Sequence, residues 1–209
     1  MYIRFLILFC FLFAGYSSLE AAAPEKYLDL AAGRMKDNTS VHANFKQVKK
    51  LKAFRMPLTI TGELCMDRSG KFAWHVYTPV RYSCIIRDGK LMQWDADTGK
   101  TYTLSLQSNA GLRYLAQSLQ NYFSGNFIEM KKDFIPITWT KDQFLVMEPK
   151  KGIPASAFIK EIRFRFSKDF RSLEQVHIRE TTGDLAEVYF TEMKLNQAIP
   201  EAKWLPGGK

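Results

Sequence analysis

Apolar and polar residues alternate along the stretch from Pro57 to Pro79, which a Ser69-Gly70 turn divides into two runs. The apolar members are Leu58, Ile60, Leu64, Met66, Phe72, Trp74 and Val76. A period of two places them on one face of an antiparallel strand pair. Gly62 interrupts the first run, as at a bulge or a bend in a curved sheet. The flanking prolines close the unit because proline cannot donate to a strand ladder. The stretch therefore predicts a bent hairpin with one buried face.

The same pattern continues on both sides of this hairpin. A strand is predicted from Thr39 onward, and Asp88-Gly89 is a strong hairpin signal for the pair that follows Pro79. The later strands are predicted at Tyr82–Arg87, Lys90–Asp95, Lys100–Leu106, Ile137–Thr140, Phe144–Glu148, Ile159–Ser167, Ser172–Glu180 and Leu185–Lys194. Three- and four-residue spacing instead predicts helices over Glu25–Asn38, from Asn109 to near Gly125, and over Phe127–Lys132.

The order of these segments predicts a mainly β fold with helices. About eleven antiparallel strands with one apolar face each should curl into an incomplete, half-open barrel, and the helical insert could cover its open mouth. The inner face would carry Leu64, Met66, Phe72, Trp74, Val76, Phe164, Phe166 and Phe190. A small barrel can be filled by its own side chains or can hold one apolar ligand, and the sequence leaves both open.

The N-terminus has the layout of a secretory signal peptide. Arg4 precedes an apolar run from Phe5 to Ala14, and Ala21-Ala22-Ala23 follows. The run is too short for a transmembrane helix, which needs roughly 20 residues. We expect cleavage after Ala21, or at the latest after Ala23, so that residues 24–209 form a single exported domain in the periplasm.

Charge and cysteine content limit the partners and the bonding of this domain. The formal net charge is +9. For an exported protein this argues for anionic lipid headgroups or an acidic protein and against nucleic acid, with a basic, soluble surface as the alternative. Cys65 and Cys84 would lie roughly 10 Å apart, on strands separated by a third strand. A disulfide needs Cα atoms within about 7 Å, so we expect two free thiols.

The sequence contains no recognisable catalytic or metal-binding motif. His42, His75 and His177 each stand alone on a predicted strand, without the closely spaced partner of a metal site. Nucleophile-elbow, zinc-protease and P-loop patterns do not occur. We therefore expect a binding protein with no catalytic residue, metal or cofactor, and disfavour a hydrolase.

One ordered set of short motifs resembles a known family. Phe45, Gln47 and Lys50 form F-x-Q-x-x-K, and P-L, G-x-L, R-x-G-x-F-x-W and a proline after the strand follow in that order. This order is similar to the LolA-like periplasmic lipoprotein carriers of Gram-negative bacteria. The resemblance implies an incomplete barrel with a helical lid over a hydrophobic cavity. It also implies an acylated lipoprotein or lipid cargo, an inner-membrane ABC exporter as donor and an outer-membrane lipoprotein receptor as acceptor.

The resemblance also suggests roles for particular residues. Phe72 and Trp74 match the cavity-side aromatic residues of the family, and the inner-face residues named above become the acyl-binding set. Leu112, Leu115 and Leu119 fall on the lid helix. Arg68 matches an arginine that hydrogen-bonds the lid, although Ser69 stands where the family often has proline, and an exposed turn arginine is the alternative.

The C-terminal end departs from the family pattern. The chain ends soon after Asn196 without an obvious further strand. That departure suggests a specialised lipid or a divergent branch. A periplasmic lipid-sensing or regulatory module on the same half-barrel is the alternative function. We expect a monomer in either case.

Overall fold

The structure, a computed structural model, describes residues 23–208. The predicted signal peptide and its cleavage after Ala21 lie outside these residues. Eleven strands and three helices form the described part. The helices are α1 Pro24–Met35, α2 Ala110–Ser124 and α3 Phe127–Asp133. The strands are β1 Ser40–Lys50, β2 Leu58–Asp67, β3 Phe72–Thr78, β4 Tyr82–Arg87, β5 Lys90–Asp95, β6 Thr101–Ser105, β7 Phe134–Trp139, β8 Phe144–Pro149, β9 Ile159–Phe166, β10 Leu173–Glu180 and β11 Leu185–Leu195.

All the strands belong to one antiparallel sheet in the order β6-β5-β4-β3-β2-β1-β11-β10-β9-β8-β7. Neighbours in the sheet are neighbours in the chain, except where β1 pairs with β11. The two edge strands β6 and β7 are consecutive in the chain, and α2 and α3 join them. The helical insert therefore runs from one edge of the sheet to the other. The predicted half-open barrel with a helical lid is confirmed.

Helix α2 begins and ends where the sequence predicts. The side chain of Asn109 accepts a hydrogen bond from the Leu112 N–H at 3.0 Å, which caps the first turn. The helix ends at Gly125, whose φ of 74° is the left-handed conformation that glycine adopts at least cost. Helix α1 ends at Met35, earlier than the predicted Asn38. The Asn38 side chain instead donates to the Arg171 carbonyl at 2.9 Å.

The predicted bulge at Gly62 is confirmed. The register between β2 and β3 shifts there, because Thr61 pairs with Thr78 whereas Gly62 pairs with Val76. A Cβ atom on Gly62 would collide with the carbonyl oxygen of His75 and would lie 2.7 Å from the ring of Phe45. The glycine thus lets the backbone approach the aromatic side chains of the interior.

We expect Gly62→Ala to lower the free energy of unfolding by roughly 1–3 kcal/mol, because the added methyl overpacks a closed site. Gly33→Ala is the matched control, since Gly33 lies in α1 with no atom near its missing Cβ. That control should be neutral or stabilise by up to about 1 kcal/mol. Urea unfolding of both variants tests this, and equal midpoints would contradict it.

Two clusters of buried side chains hold the sheet, one on each face. The larger lies between the inner face and the three helices. The smaller lies on the outer face, where Cys65, Ala73 and Ile85 pack around Trp204 of the C-terminal segment. Sequence analysis predicted that no strand follows Asn196. The segment instead forms short 3-10 turns, Glu201–Trp204 and Pro206–Gly208, that cover this face.

Within residues 23–208, Cys65 and Cys84 are both free, as predicted. Cys65 pairs with Ala73 on the outer face, whereas Cys84 pairs with the inner-face residue Trp74. The two thiols therefore lie on opposite faces of the sheet. Burial raises the pKa of Cys65 to about 12, so its thiol stays protonated and unreactive at neutral pH.

Strand β6 differs from the expectation that every strand has a buried face. Its Tyr102 and Leu104 side chains are exposed. As an edge strand it has a partner on one side only, and the lid does not cover these side chains.

Among the described residues, none of the helices combines the length and apolar character that crossing a bilayer requires.

Candidate functional site

The structure gathers the predicted acyl-binding residues on one continuous apolar face. They come from β2, β3, β9 and β11 and all belong to, or pack against, the larger core. Leu64, Met66, Phe72, Val76, Phe164, Phe166 and Phe190 are buried, and Trp74 is half-buried. Trp74 stacks on Phe45 of β1, with 3.7 Å between the ring centroids. Phe45 belongs to the F-x-Q-x-x-K segment and Trp74 to the R-x-G-x-F-x-W segment. The stack therefore joins two of the motifs that resemble the LolA-like carriers.

The lid closes directly onto this face through aromatic contacts. Tyr122 and Phe123 of α2 meet Phe164 and Phe190 edge-on, with ring centroids 5.6 and 5.4 Å apart. Phe127 of α3 contacts Phe164 at 6.2 Å and Phe166 at 5.6 Å. The side chains that fill the interior in this structure thus come from the lid as well as from the sheet. Removing the lid would uncover an aromatic wall.

Tyr122 and Phe123 follow the three- and four-residue apolar spacing that predicts α2, whereas sequence analysis did not identify Phe127 as a contact of the sheet. Phe123 and Phe127 are both buried, but Gly125 ends α2 between them, so no single helical spacing relates the two. Of the lid residues predicted, Leu119 packs against the core and Leu112 is half-buried. Leu115 belongs to α2, but its side chain lies outside the described part.

Hydrogen bonds fasten the lid at the turn between β2 and β3. The side-chain amide of Gln120 in α2 donates to the Gly70 carbonyl at 2.7 Å. The guanidinium of Arg68 donates to the carbonyls of Lys36 and Asn38, at 2.7 and 3.3 Å. Arg68 thus joins the turn to the end of α1, where a cation complements the helix dipole. Arg68 was predicted to hydrogen-bond the lid helix, but in the structure it bonds the end of α1. The bond from α2 to this turn is accepted by the Gly70 carbonyl instead.

A groove of about 440 Å³ runs between α2 and the turns that join β2 to β3 and β4 to β5. Its apolar lining residues are Ile86, Leu106 and Ala116, and its charged ones are Lys71, Arg87, Asp88 and Arg113. The Gln120–Gly70 hydrogen bond lies on its wall. The groove therefore borders the hydrogen bond that joins α2 to the turn between β2 and β3.

Residues 36–204 match the family described as outer membrane lipoprotein carrier protein LolA. The chain belongs to the LolA family. An outer-membrane lipoprotein carrier protein of Pseudomonas fluorescens (strain Pf0-1) is 21% identical over 188 residues, which cover 90% of this chain and 87% of the relative. A protein of the same description from Pseudomonas putida (strain KT2440) is 25% identical over 190 residues, covering 90% and 86%.

Structural comparison agrees on the fold. The crystal structure of an uncharacterized conserved protein from Thermus thermophilus superposes with a TM-score of 0.51 at 9% identity, over 86% of this chain and 91% of that chain. The resemblance stated from the motifs between Phe45 and Gly89 is confirmed by the family match over residues 36–204.

In this LolA-family domain, a polar cluster on the outer face holds the C-terminal segment. Glu63 accepts hydrogen bonds from Lys203 at 2.5 Å and from His42 at 3.1 Å. Burial disfavours ionisation of Glu63, but hydrogen bonds from Lys203, Tyr77 and His42 outweigh it and lower its pKa. His42, Glu63 and Cys65 each offer a ligand atom within a space of 4.8 Å, which the isolated histidine of the sequence did not suggest. The Lys203 ammonium supplies the positive charge there.

His75 continues this cluster beneath the C-terminal segment. Its ring nitrogens bond the Ser83 hydroxyl and the Lys203 carbonyl, both at 2.8 Å, and Ser83 accepts from the Gly207 N–H at 3.1 Å. Burial lowers the pKa of His75, although the bond to the Lys203 carbonyl opposes this. Burial also lowers the pKa of His177 on β10. Both imidazoles therefore favour the neutral form in the fold.

We expect the protein to lose stability as the pH falls below about 6.5, the ordinary histidine value. A histidine with a lowered pKa binds its proton more readily in the unfolded chain, so its stabilisation is complete above that pH and is lost on acidification. The slope cannot exceed about 1.4 kcal/mol per pH unit for each histidine. Urea unfolding between pH 7.5 and 5.5 measures it. His75→Gln should flatten the slope, and an unchanged slope would exclude His75 as its source.

Proposed function

We propose that this protein is a periplasmic carrier that binds the acyl chains of lipoproteins, or of a related lipidated molecule, between the inner face of the sheet and the lid. One observation carries the proposal: a continuous aromatic and aliphatic face is closed by a separate helical segment that reaches it mainly through side-chain packing. An acyl chain offers the same chemistry as the lid side chains and could replace them.

The energetics of such an exchange suit a carrier. Transfer of a methylene group from water to an apolar site is worth about 0.8 kcal/mol, so a long acyl chain gains on the order of 10 kcal/mol. Part of this gain is spent on displacing Tyr122, Phe123 and Phe127 from the wall. The net affinity is then moderate, and closure of the lid helps to expel the chain again. A rigid, fully complementary cavity would retain its cargo.

The carrier would take its cargo from an inner-membrane ABC exporter and pass it to an outer-membrane lipoprotein receptor. Supporting this are the LolA family match, the relatives described as outer-membrane lipoprotein carrier proteins, and the signal-peptide pattern of residues 1–21. The domain of residues 24–209 would act as a monomer and as a binding protein with no catalytic residue, metal or cofactor.

Lipid analysis of the protein purified from periplasm tests the proposal. We expect co-purified acyl lipid, and displacement of a hydrophobic dye by a palmitoylated peptide but not by the same peptide without its acyl chain. Protein that excludes both dye and acyl peptide would refute it. Acyl binding without transfer to acceptor membranes or receptor would favour the lipid-sensing alternative.

A further inference from the structure

Two exposed loops lie at one end of the sheet, on either side of the turn between β10 and β11. The first joins β1 to β2 (residues 51–57), and the second joins β8 to β9 (residues 150–158). The turn between β10 and β11 connects them. Its Asp184 carboxylate accepts from the Lys52 N–H at 2.8 Å, and its Thr181 N–H donates to the Phe158 carbonyl at 2.9 Å. We call residues 51–57 and 150–158 the loop end.

Large apolar side chains project from the loop end. Phe54, Met56 and Phe158 are 67%, 82% and 70% exposed. Isolated exposed apolar residues are ordinary on a protein surface. Here, however, three large ones occupy the tips of loops that hydrogen bonds hold together. They form no flat strip along a strand, so they do not extend the sheet toward another chain.

Basic residues surround these tips. Residues 49–58 and 150–160 contain no aspartate or glutamate. Their cations are Lys49, Lys50, Lys52, Arg55, Lys150, Lys151 and Lys160. Four carboxylates border these loops: Asp184 accepts from a backbone N–H, Glu187 pairs with Lys50 at 3.0 Å, and Glu148 and Glu180 stand beside the second loop. They are outnumbered by the seven cations. The remaining charge at the loop end is therefore positive.

We propose that the loop end docks on an anionic phospholipid bilayer, with Phe54, Met56 and Phe158 inserted at the headgroup level and the surrounding cations on the lipid phosphates. Apolar side chains beside Lys and Arg are the composition that interfacial anchors use. Cations near an anionic surface and large apolar side chains buried at the headgroup level both favour binding. Neither contribution requires an open lid. Membrane docking is therefore independent of acyl carriage.

The experiment is co-sedimentation of the processed protein, purified from periplasm, with vesicles. One set contains phosphatidylcholine alone, and the other contains phosphatidylcholine and phosphatidylglycerol in equal parts. We expect binding to the anionic set that weakens as salt is added, because screening shortens the reach of surface charge. Absence of binding to the anionic vesicles, or equal binding to both sets, would overturn the proposal.

Variants locate the contact. Phe54→Ser/Met56→Ser/Phe158→Ser should weaken binding to anionic vesicles by at least about tenfold, which corresponds to about 1.4 kcal/mol. Lys52→Glu/Arg55→Glu should do the same and should also reduce the salt dependence. Tyr102→Ser/Leu104→Ser is the matched control, because it removes exposed apolar side chains from the edge strand β6, which pairs with neither of the strands that these loops join. An equal loss in that control would place the contact elsewhere. Dye displacement by acylated peptide should be unchanged in all of these variants, which separates this proposal from acyl carriage.

Discussion

Replacing Trp204 with alanine should lower the free energy of unfolding by roughly 3–5 kcal/mol, the usual cost of deleting a buried aromatic side chain. Trp204 is only 2% exposed and packs against Cys65, Ala73 and Ile85 on the outer face of the sheet. The Lys71 ammonium lies over its ring, 5.5 Å from the centroid. In a domain of this size, the change corresponds to a fall in Tm of roughly 6–20 °C.

The thiol of Cys65 distinguishes release of the C-terminal segment from unfolding of the whole sheet. In a Cys10→Ser/Cys84→Ser background, Cys65 is the only cysteine. It is fully buried under the segment, so alkylation at pH 7 should be very slow in the parent protein. Trp204→Ala should accelerate alkylation under conditions where circular dichroism still shows a folded sheet.

The control for this prediction is the neighbouring Leu205→Ala, since Leu205 is exposed. It should leave both Tm and alkylation rate unchanged, because surface substitutions usually change stability by less than about 0.5 kcal/mol. If Trp204→Ala behaved like Leu205→Ala, the C-terminal segment would not be anchored by its tryptophan.

Local sequence patterns predict most of this fold, because most strands that pair in the sheet are also consecutive in the chain. Asp88 and Gly89 have φ values of 51° and 68°, the left-handed pair that a tight hairpin turn needs, and the predicted bounds of β4 and β5 match the structure. Gly62 and Gly125 likewise mark a bulge and a helix end. In each case a glycine, or aspartate followed by glycine, permits a backbone conformation that most residues avoid. The residue itself therefore marks the turn, the bulge or the helix end in the sequence.

The features that sequence reasoning missed depend on contacts between distant segments. Nothing periodic marks residues 197–208, so the burial of Trp204 follows only from the shape of the outer face. Arg68 is an exposed turn residue in sequence, and its bonds to Lys36 and Asn38 depend on where α1 ends. The position of the lid is harder still to predict from sequence. The apolar side chain of Phe123 could pack against the inner face of the sheet or against an acyl chain, and either contact suits a phenylalanine.

That ambiguity leads to the last prediction: Phe123→Ala should strengthen acyl-chain binding by roughly 10- to 100-fold. Phe123 contacts Phe190 when the lid is closed, at 5.4 Å between ring centroids. Loss of a buried phenylalanine costs about 3–5 kcal/mol in a packed site, and only the part lost from the closed state favours binding. Each 1.4 kcal/mol removed from the cost of opening raises the apparent affinity about tenfold, until the open form predominates.

Two further variants test whether the lid and an acyl chain compete for the same apolar surface. Phe190→Ala breaks the same aromatic pair from the side of the sheet, so it eases opening but also removes part of the wall that an acyl chain would contact. It should therefore raise affinity less than Phe123→Ala, or lower it. Ile128→Ala, at an exposed position of α3, should change neither the acyl-chain affinity nor the opening of the lid.

Titration with a fluorescent fatty acid measures all three affinities, and hydrogen exchange of α2 reports lid opening. Faster exchange in Phe123→Ala without tighter binding would mean that the lid opens onto a surface that acyl chains do not use. Tighter binding only in Phe123→Ala would establish that cargo and lid compete for one apolar wall.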